Sequence, residues 1–216
     1  MSYIKIENYT KKIKKNIVLD CINLNLEKNK IYGFVGINGS GKTMLFRAIS
    51  GLIKPTLGTV FVDNIEINNG NHPENLGLLI ENADFWNELS AFENLNVLNY
   101  MSKNKLTKEE ILLFIDEFGL DSKSEKPYGA FSLGMKQKLR LIQAFMNKPD
   151  LIILDEPTNA LDEESVLNLR KRILKEKSDG KTILIASHSK EEIQELCDEI
   201  IFMEDGKIKD IVKVER

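Results

Sequence analysis

Apolar and polar positions change rhythm three times along this chain. In the first third, residues 3–9, 17–26, 31–35 and 59–63 are short apolar or alternating runs separated by Asn, Lys and Gly. That spacing predicts strands. From 82 to 147 the strand signal disappears. Ser90-Ala91-Phe92-Glu93 and Thr107-Lys108-Glu109-Glu110 read as capping boxes, so each opens a helix. Gly119 is a stop for the second, and Ser132 caps a third that runs through Met135, Leu139, Ile142 and Phe145. The last third alternates again. Residues 151–154 form an uninterrupted apolar run, as in a buried parallel strand, and 182–186 form another. A helix is expected between them from about Glu163 to near Gly180, and Ser189-Lys190-Glu191-Glu192 is a further capping box. Residues 200–203 and 208–214 close the chain as strands around an Asp205-Gly206 turn. The alternation predicts an α/β fold, a mostly parallel sheet flanked by helices, interrupted by a helical lobe.

The junction after the strand at 31–35 carries the strongest chemical signal. Gly36-Ile37-Asn38-Gly39-Ser40-Gly41-Lys42-Thr43 fits the phosphate-loop pattern G-x-x-x-x-G-K-[ST] at every position, between a strand and a helix. Its glycines let the backbone turn its N–H groups onto one anion, and the helix N-terminus adds partial positive charge there. Gly36, Asn38, Gly39, Ser40 and Gly41 would line the phosphates, Lys42 would reach the β- and γ-phosphates, and Thr43 would ligate Mg²⁺. A second cluster ends the strand at 151–154, where Asp155-Glu156-Pro157 form a Walker B arrangement. Asp155 would hold Mg²⁺ through water, and Glu156 would polarise the attacking water as a general base. Pro157 cannot continue a sheet ladder and helps to end the strand. His188 follows the neighbouring strand, whose carboxyl end opens on the same crevice. From there it would hydrogen-bond the γ-phosphate and keep the water aligned.

Composition narrows the rest. Of 216 residues, 42% are hydrophobic and 29% charged, as in a soluble globular domain. A net charge of −3 and a pI near 5.6 argue against nucleic acid as a general partner. The basic run Lys11-Lys12-Ile13-Lys14-Lys15 reads as a solvated loop. No apolar run approaches the ~18–20 residues of a membrane span, and the first residues have no apolar core of a secretion signal. Cys21 and Cys197 form no metal or redox motif and read as buried or half-buried thiols. His72, in a polar loop, has no evident role.

Between the two phosphate motifs lies Phe131-Ser132-Leu133-Gly134-Met135-Lys136-Gln137. Together these segments resemble the nucleotide-binding subunit of ABC transporters, over nearly the whole chain and in the family's order. The resemblance implies a P-loop NTPase of one domain, 1–216. Residues 1–81 and 148–216 would form a RecA-like core with an N-terminal antiparallel β subdomain, and 82–147 the helical lobe. Ser132 and Gly134 stand in the family's signature, where they would close on the γ-phosphate held by an opposite subunit. Asn159-Ala160-Leu161-Asp162 resembles the D-loop that reaches across that head-to-tail dimer, so Asp162 joins the ATP-binding set. The cofactors implied are ATP and Mg²⁺. The partners are a second ATPase subunit, like or unlike, and an integral membrane permease that holds the chain at the cytoplasmic face of the cell membrane.

Four positions depart from the family pattern. Leu133 and Met135 replace a glycine and a glutamine of the signature, while Glu81 replaces the Q-loop glutamine and would join Thr43 and Asp155 at Mg²⁺. Ile13 falls where an aromatic ring stacks on adenine. Glu81 with this signature is similar to bacitracin-resistance and lantibiotic-immunity exporters, which implies export of peptide antibiotics. A soluble ABC ATPase of a scaffold or assembly system stays open as an alternative. A non-catalytic ATP sensor is disfavoured by Glu156 and His188. Phe85, Trp86 and Phe92 lie among polar residues, either as packing between lobes or as a groove for a helix of the membrane partner.

Overall fold

The computed structural model describes residues 2–67, 71–80, 84–188 and 190–215. In chain order the strands and helices are β1 (Ser2–Ile13), β2 (Asn16–Glu27), β3 (Ile31–Val35), α1 (Lys42–Ile49), β4 (Leu57–Val62), β5 (Ile65–Glu66) and β6 (Leu76–Leu79). Then come α2 (Ala91–Met101), α3 (Lys108–Glu117), α4 (Leu133–Phe145), β7 (Leu151–Asp155), α5 (Glu163–Ser178), β8 (Thr182–Ala186), α6 (Lys190–Leu196), β9 (Glu199–Glu204) and β10 (Lys207–Lys213). They form two sheets. One is antiparallel, in the order β2-β1-β4-β5. The other runs β10-β9-β3-β8-β7-β6 and is parallel except for the β9–β10 hairpin.

The central strands β3, β7 and β8 are buried on both faces, which is why their sequences are continuous apolar runs. On one side, Phe34, Leu45, Phe46 and Ile49 join the inner face of the antiparallel sheet, Ile4, Ile6, Leu24 and Leu26 among them. On the other, α4, α5 and α6 cover the parallel sheet through Leu141, Phe145, Leu169, Ile173 and Ile193. Residues 85–146 build a third cluster of their own around Leu95, Ile115, Tyr128, Leu139 and Ile142. Helix α4 belongs to both: Leu139 and Ile142 face the lobe, Leu141 and Phe145 the sheet.

The predicted caps hold the lobe's helices. Ser90 accepts from Glu93 N and its own N–H donates to Glu93 Oε2 at 2.8 Å; Thr107 and Glu110 repeat the exchange. Gly119, at φ +70, follows the end of α3, and Ser132 Oγ accepts from Met135 N at 3.2 Å to start α4. Arg172 of α5 ties the lobe to the core. Its guanidinium meets Glu176 at 2.7 Å on its own helix and Glu117 of α3 at 3.0 Å, and lies 4.8 Å from the Phe114 ring and 5.7 Å from Phe145.

Several sequence expectations need correction. Strands β5 and β6 were not foreseen. Strand β6 interrupts its apolar run with Gly77 because α4 presses on it there: a Cβ would stand 1.9 Å from Ala144 O. The basic run 11–15 is solvated but is no loop, since Lys11, Lys12 and Ile13 end β1 and only Lys14 and Lys15 form the turn. Cys197 is buried, whereas Cys21 is exposed, at a φ of +50 where the β1–β2 register is irregular. His72 is also engaged: its Nδ1 lies 2.9 Å from the carbonyl of Ser50, the C-cap of α1. Ser189, the expected cap of α6, lies outside the described residues.

Candidate nucleotide site

The loop from Gly36 to Gly41 leaves β3 and enters α1 through a left-handed residue, Gly41 at φ +105. No side chain caps α1 and no acidic residue sits in its first turn, so its first N–H groups keep their capacity for an external anion. Gly36 is a glycine for steric reasons: a Cβ would stand 2.3 Å from the main-chain oxygen of Met203 on β9. Lys42 is 7% exposed and its ammonium curls back over the loop, donating to Gly36 O at 2.7 Å and approaching Ile37 O at 3.4 Å. Ser40 is buried beneath, and its Oγ has no hydrogen-bond partner among the described residues. Thr43 Oγ1 donates to Asp155 Oδ2 at 2.5 Å, which joins the start of α1 to the end of β7.

After Asp155 the chain turns at once. Glu156 adopts φ +50, uncommon for a residue with a side chain, and its N–H donates to Ala186 O of β8 at 2.8 Å. That conformation carries the carboxylate across to the residue after β8. His188 Nε2 comes within 3.1 Å of Glu156 Oε1, and His188 N–H donates to Oε2 at 3.3 Å. The imidazole contact is a close approach rather than an aligned hydrogen bond, because Oε1 is buried without a hydrogen-bond partner. Burial lifts the Glu156 carboxyl above the ordinary range, and the charge and amide of His188 partly offset it. Such a group suits a base near neutral pH.

A cleft of about 490 Å³ gathers these groups, with Asn38, Gly39, Ser40, Gly41, Lys42, Thr43, Asp155, Glu156 and His188 in its wall. Ile17 and Val18 of β2 and the Asp205-Gly206 turn complete it. Three predicted ATP ligands stand elsewhere. Ser132 and Gly134 open α4, and Asp162 opens α5, where its carboxylate accepts from Ser165 N at 2.8 Å and is held below its usual range by the Ser165 side chain and that amide. Asp162 lines a different cavity, about 450 Å³, between α3, α4 and α5. A Cβ on Gly134 would lie 2.9 Å from Ala160 O, so the signature and the 159–162 segment abut each other. Ile13 is not in the cleft wall; Ile17 is the aliphatic group that faces it, 48% exposed. Glu81, expected at the metal, lies outside the described residues.

Gln137, the last residue of the signature segment, has a structural role that its sequence position does not assign. It is 7% exposed, and its amide donates to Pro157 O at 2.9 Å, binding α4 to the Asp155–Glu156 turn. A polar residue on a buried helix face was the available signal. Of the three aromatics near the lobe's start, Phe85 packs edge-on to Tyr128 at 5.3 Å and Phe92 is partly buried. Trp86 is 48% exposed, on a segment that buried Asn94 clamps through Trp86 N–H, Trp86 O and Leu89 O.

Comparison with known proteins agrees with this arrangement. The family described as ABC transporter matches residues 19–159. The chain is 44% identical over 212 residues to an uncharacterised ABC transporter ATP-binding protein, YybJ of Bacillus subtilis, covering 98% of this chain and 97% of that one. It is 36% identical to the lantibiotic transport ATP-binding protein SrtF of Streptococcus pyogenes, over 95% of this chain and 88% of the relative. Among solved structures, the dimeric structure of MJ0796, a bacterial ABC transporter cassette, superimposes with a TM-score of 0.89 at 26% identity, covering 99% of both chains.

Proposed function

Because this chain belongs to the ABC transporter family, as an ATPase of its ATP-binding type, we propose that it drives export through separate integral membrane subunits. Peptide antibiotics of the lantibiotic kind are the cargo class that its relative SrtF suggests. One observation carries the mechanism: Lys42, Glu156 and His188 share a cleft from which Ser132, Gly134 and Asp162 are absent. Each chain then holds half of a site, and a second chain in head-to-tail orientation supplies the other half. Ser132 suits this role. Its oxygen already accepts from Met135 N, which leaves its O–H as a donor for a phosphate oxygen of the partner's nucleotide.

Within one half, the loop N–H groups and Lys42 bind the β- and γ-phosphates. Thr43 Oγ1 and Asp155 Oδ2 fit Mg²⁺, because two hard oxygen donors already converge there. Held there, the ion would supply charge neutralisation for the phosphates. Glu156 accepts a proton from the attacking water, and His188 fixes the carboxylate and faces the γ-phosphate. Hydrolysis removes the group that joins the two chains, so the dimer reopens and resets the membrane partner. The lobe, 82–147, is the part that carries the signature into and out of contact. The chain works at the cytoplasmic face of the membrane, held by that partner; no helix among its described residues is long and apolar enough to cross one.

Affinity purification of a tagged Glu156→Gln chain from detergent-solubilised native membranes in MgATP tests this reading. A polytopic membrane protein in stoichiometric amount is the expected companion. A chain confined to the soluble fraction, with a soluble partner or none, would replace the exporter by an ATPase serving a scaffold.

A further inference from the structure

Three main-chain segments meet beside the cleft with almost no side chain between them. Gly206, in the β9–β10 turn, donates its N–H to Ser40 O at 3.0 Å, and its own carbonyl accepts from Asp20 N at 2.9 Å. One residue therefore joins the phosphate loop to β2. The approach is close on every side. At Gly206, φ +71, a Cβ would stand 2.6 Å from Val18 O; at Gly41 it would stand 3.2 Å from Val18 O and 3.2 Å from Gly206 Cα. On the outside, Lys207 Nζ reaches Asp20 at 3.1 Å across the same junction.

The two segments joined in this way are both parts of the cleft wall. Loop residues 38–43 form the polar, phosphate-binding end. Ile17 of β2 presents aliphatic surface beside the main chain of Val18, suited to the flat face of a nucleobase. A nucleoside triphosphate touches both ends at once, so its affinity depends on their separation. No aromatic ring lines the cleft among the described residues. The base contact therefore rests on a thin aliphatic platform that must be held at the correct distance.

We propose that Gly206 is a positioning residue that sets the spacing between the base platform on β2 and the phosphate loop. This rests on the reading that the cleft binds a nucleoside triphosphate. Gly206→Ala adds a Cβ against the rigid main chain of Val18 in a conformation that disfavours side chains, so β2 must move away from the loop. Gly36 and Gly41, which shape the loop itself, are unchanged by this substitution.

The test compares a ligand that spans both ends with one that occupies only the phosphate end. Dissociation constants for MgATP and for magnesium tripolyphosphate are measured for the parent chain and for Gly206→Ala. The expected result is about tenfold weaker MgATP binding, some 1.4 kcal/mol, with tripolyphosphate changed by less than about threefold. Equal weakening of both ligands, or none, overturns the spacing role. Should Gly206→Ala not fold, amide exchange in the parent chain decides. MgATP should slow exchange at Asp20 N–H by about tenfold while tripolyphosphate leaves it unchanged, and equal effects overturn the proposal. A parent chain that binds neither ligand overturns the nucleotide reading itself.

Discussion

His188 grips Glu156 twice, with its imidazole Nε2 3.1 Å from Oε1 and its main-chain N–H 3.3 Å from Oε2. The main-chain contact belongs to the backbone after β8 and survives any substitution but proline; the imidazole contact does not. His188→Ala should therefore leave Glu156 in place but without the imidazole beside it. Turnover should fall by about a hundredfold or more, with KM for ATP changed by less than about threefold. Steady-state kinetics separates the two parameters. A large rise in KM with normal kcat would make His188 a binding residue instead.

The raised carboxyl of Glu156 has two consequences of opposite sign. A general base must be ionised, so kcat should climb with pH along an acid limb that lies above the ordinary glutamate value of about 4.3. For stability, the folded chain holds this proton more tightly than the unfolded chain, so stability falls as pH rises from the unfolded to the folded value. At neutral pH the ionised side chain is a burden on the fold. Glu156→Gln should therefore bind ATP, hydrolyse it barely, accumulate as a dimer and melt a few degrees higher at neutral pH. The gain should shrink below the unfolded pKa, where both chains carry a neutral group. Melting curves across pH that show a constant gap would refute the assignment.

Gln137 binds α4 to the turn that presents Asp155 and Glu156. Gln137→Ala removes a buried donor and leaves Pro157 O without it, a cost of roughly 1–3 kcal/mol. For a chain of this size that lowers Tm by about 2–4 °C per kcal/mol. Turnover should fall as well, because the turn loses its tie to the signature helix. Thermal unfolding and kcat on the same preparation check both, and an unchanged Tm would show that the bond contributes nothing.

Trp86 displays its ring on a segment fixed by Asn94, while Phe85 and Phe92 serve the lobe. Exposed aromatics on a rigid support are effective anchors at interfaces. Trp86→Ala should reduce co-purification with the membrane subunit several-fold while the detached chain keeps its Kd for ATP. Unchanged recovery of the membrane subunit would assign Trp86 to the surface alone.

Much of this structure was legible because local chemistry and global position agree. Strands β3, β7 and β8 announced themselves as apolar runs because both of their faces are covered. The Ser90–Glu93 and Thr107–Glu110 pairs named their helices because a capping box works within four residues. Strand β6 was hidden because Gly77 answers to Ala144 O on a distant helix, and no local rule contains that neighbour. Phosphate loop, Asp155, Glu156 and His188 were found together through order along the chain and the crossing rules of parallel sheets. That Ser132, Gly134 and Asp162 stand apart from them is in keeping with the family resemblance, which assigns them to the opposite subunit's nucleotide, whereas the left-handed turn at Glu156 and the engagement of His72 with Ser50 follow from tertiary geometry alone.

Arg172 gives the molecule a mechanical property. Its guanidinium is fixed on one side to α5 through Glu176 and rests on the other against Glu117 and the rings of Phe114 and Phe145. Attraction between a cation and a ring face changes slowly with lateral displacement, and the partly exposed Glu117 can exchange its partner for water. The contact therefore works as a lubricated joint. It resists separation of lobe and core, and of its contacts the one to Glu117 is the one that water can replace.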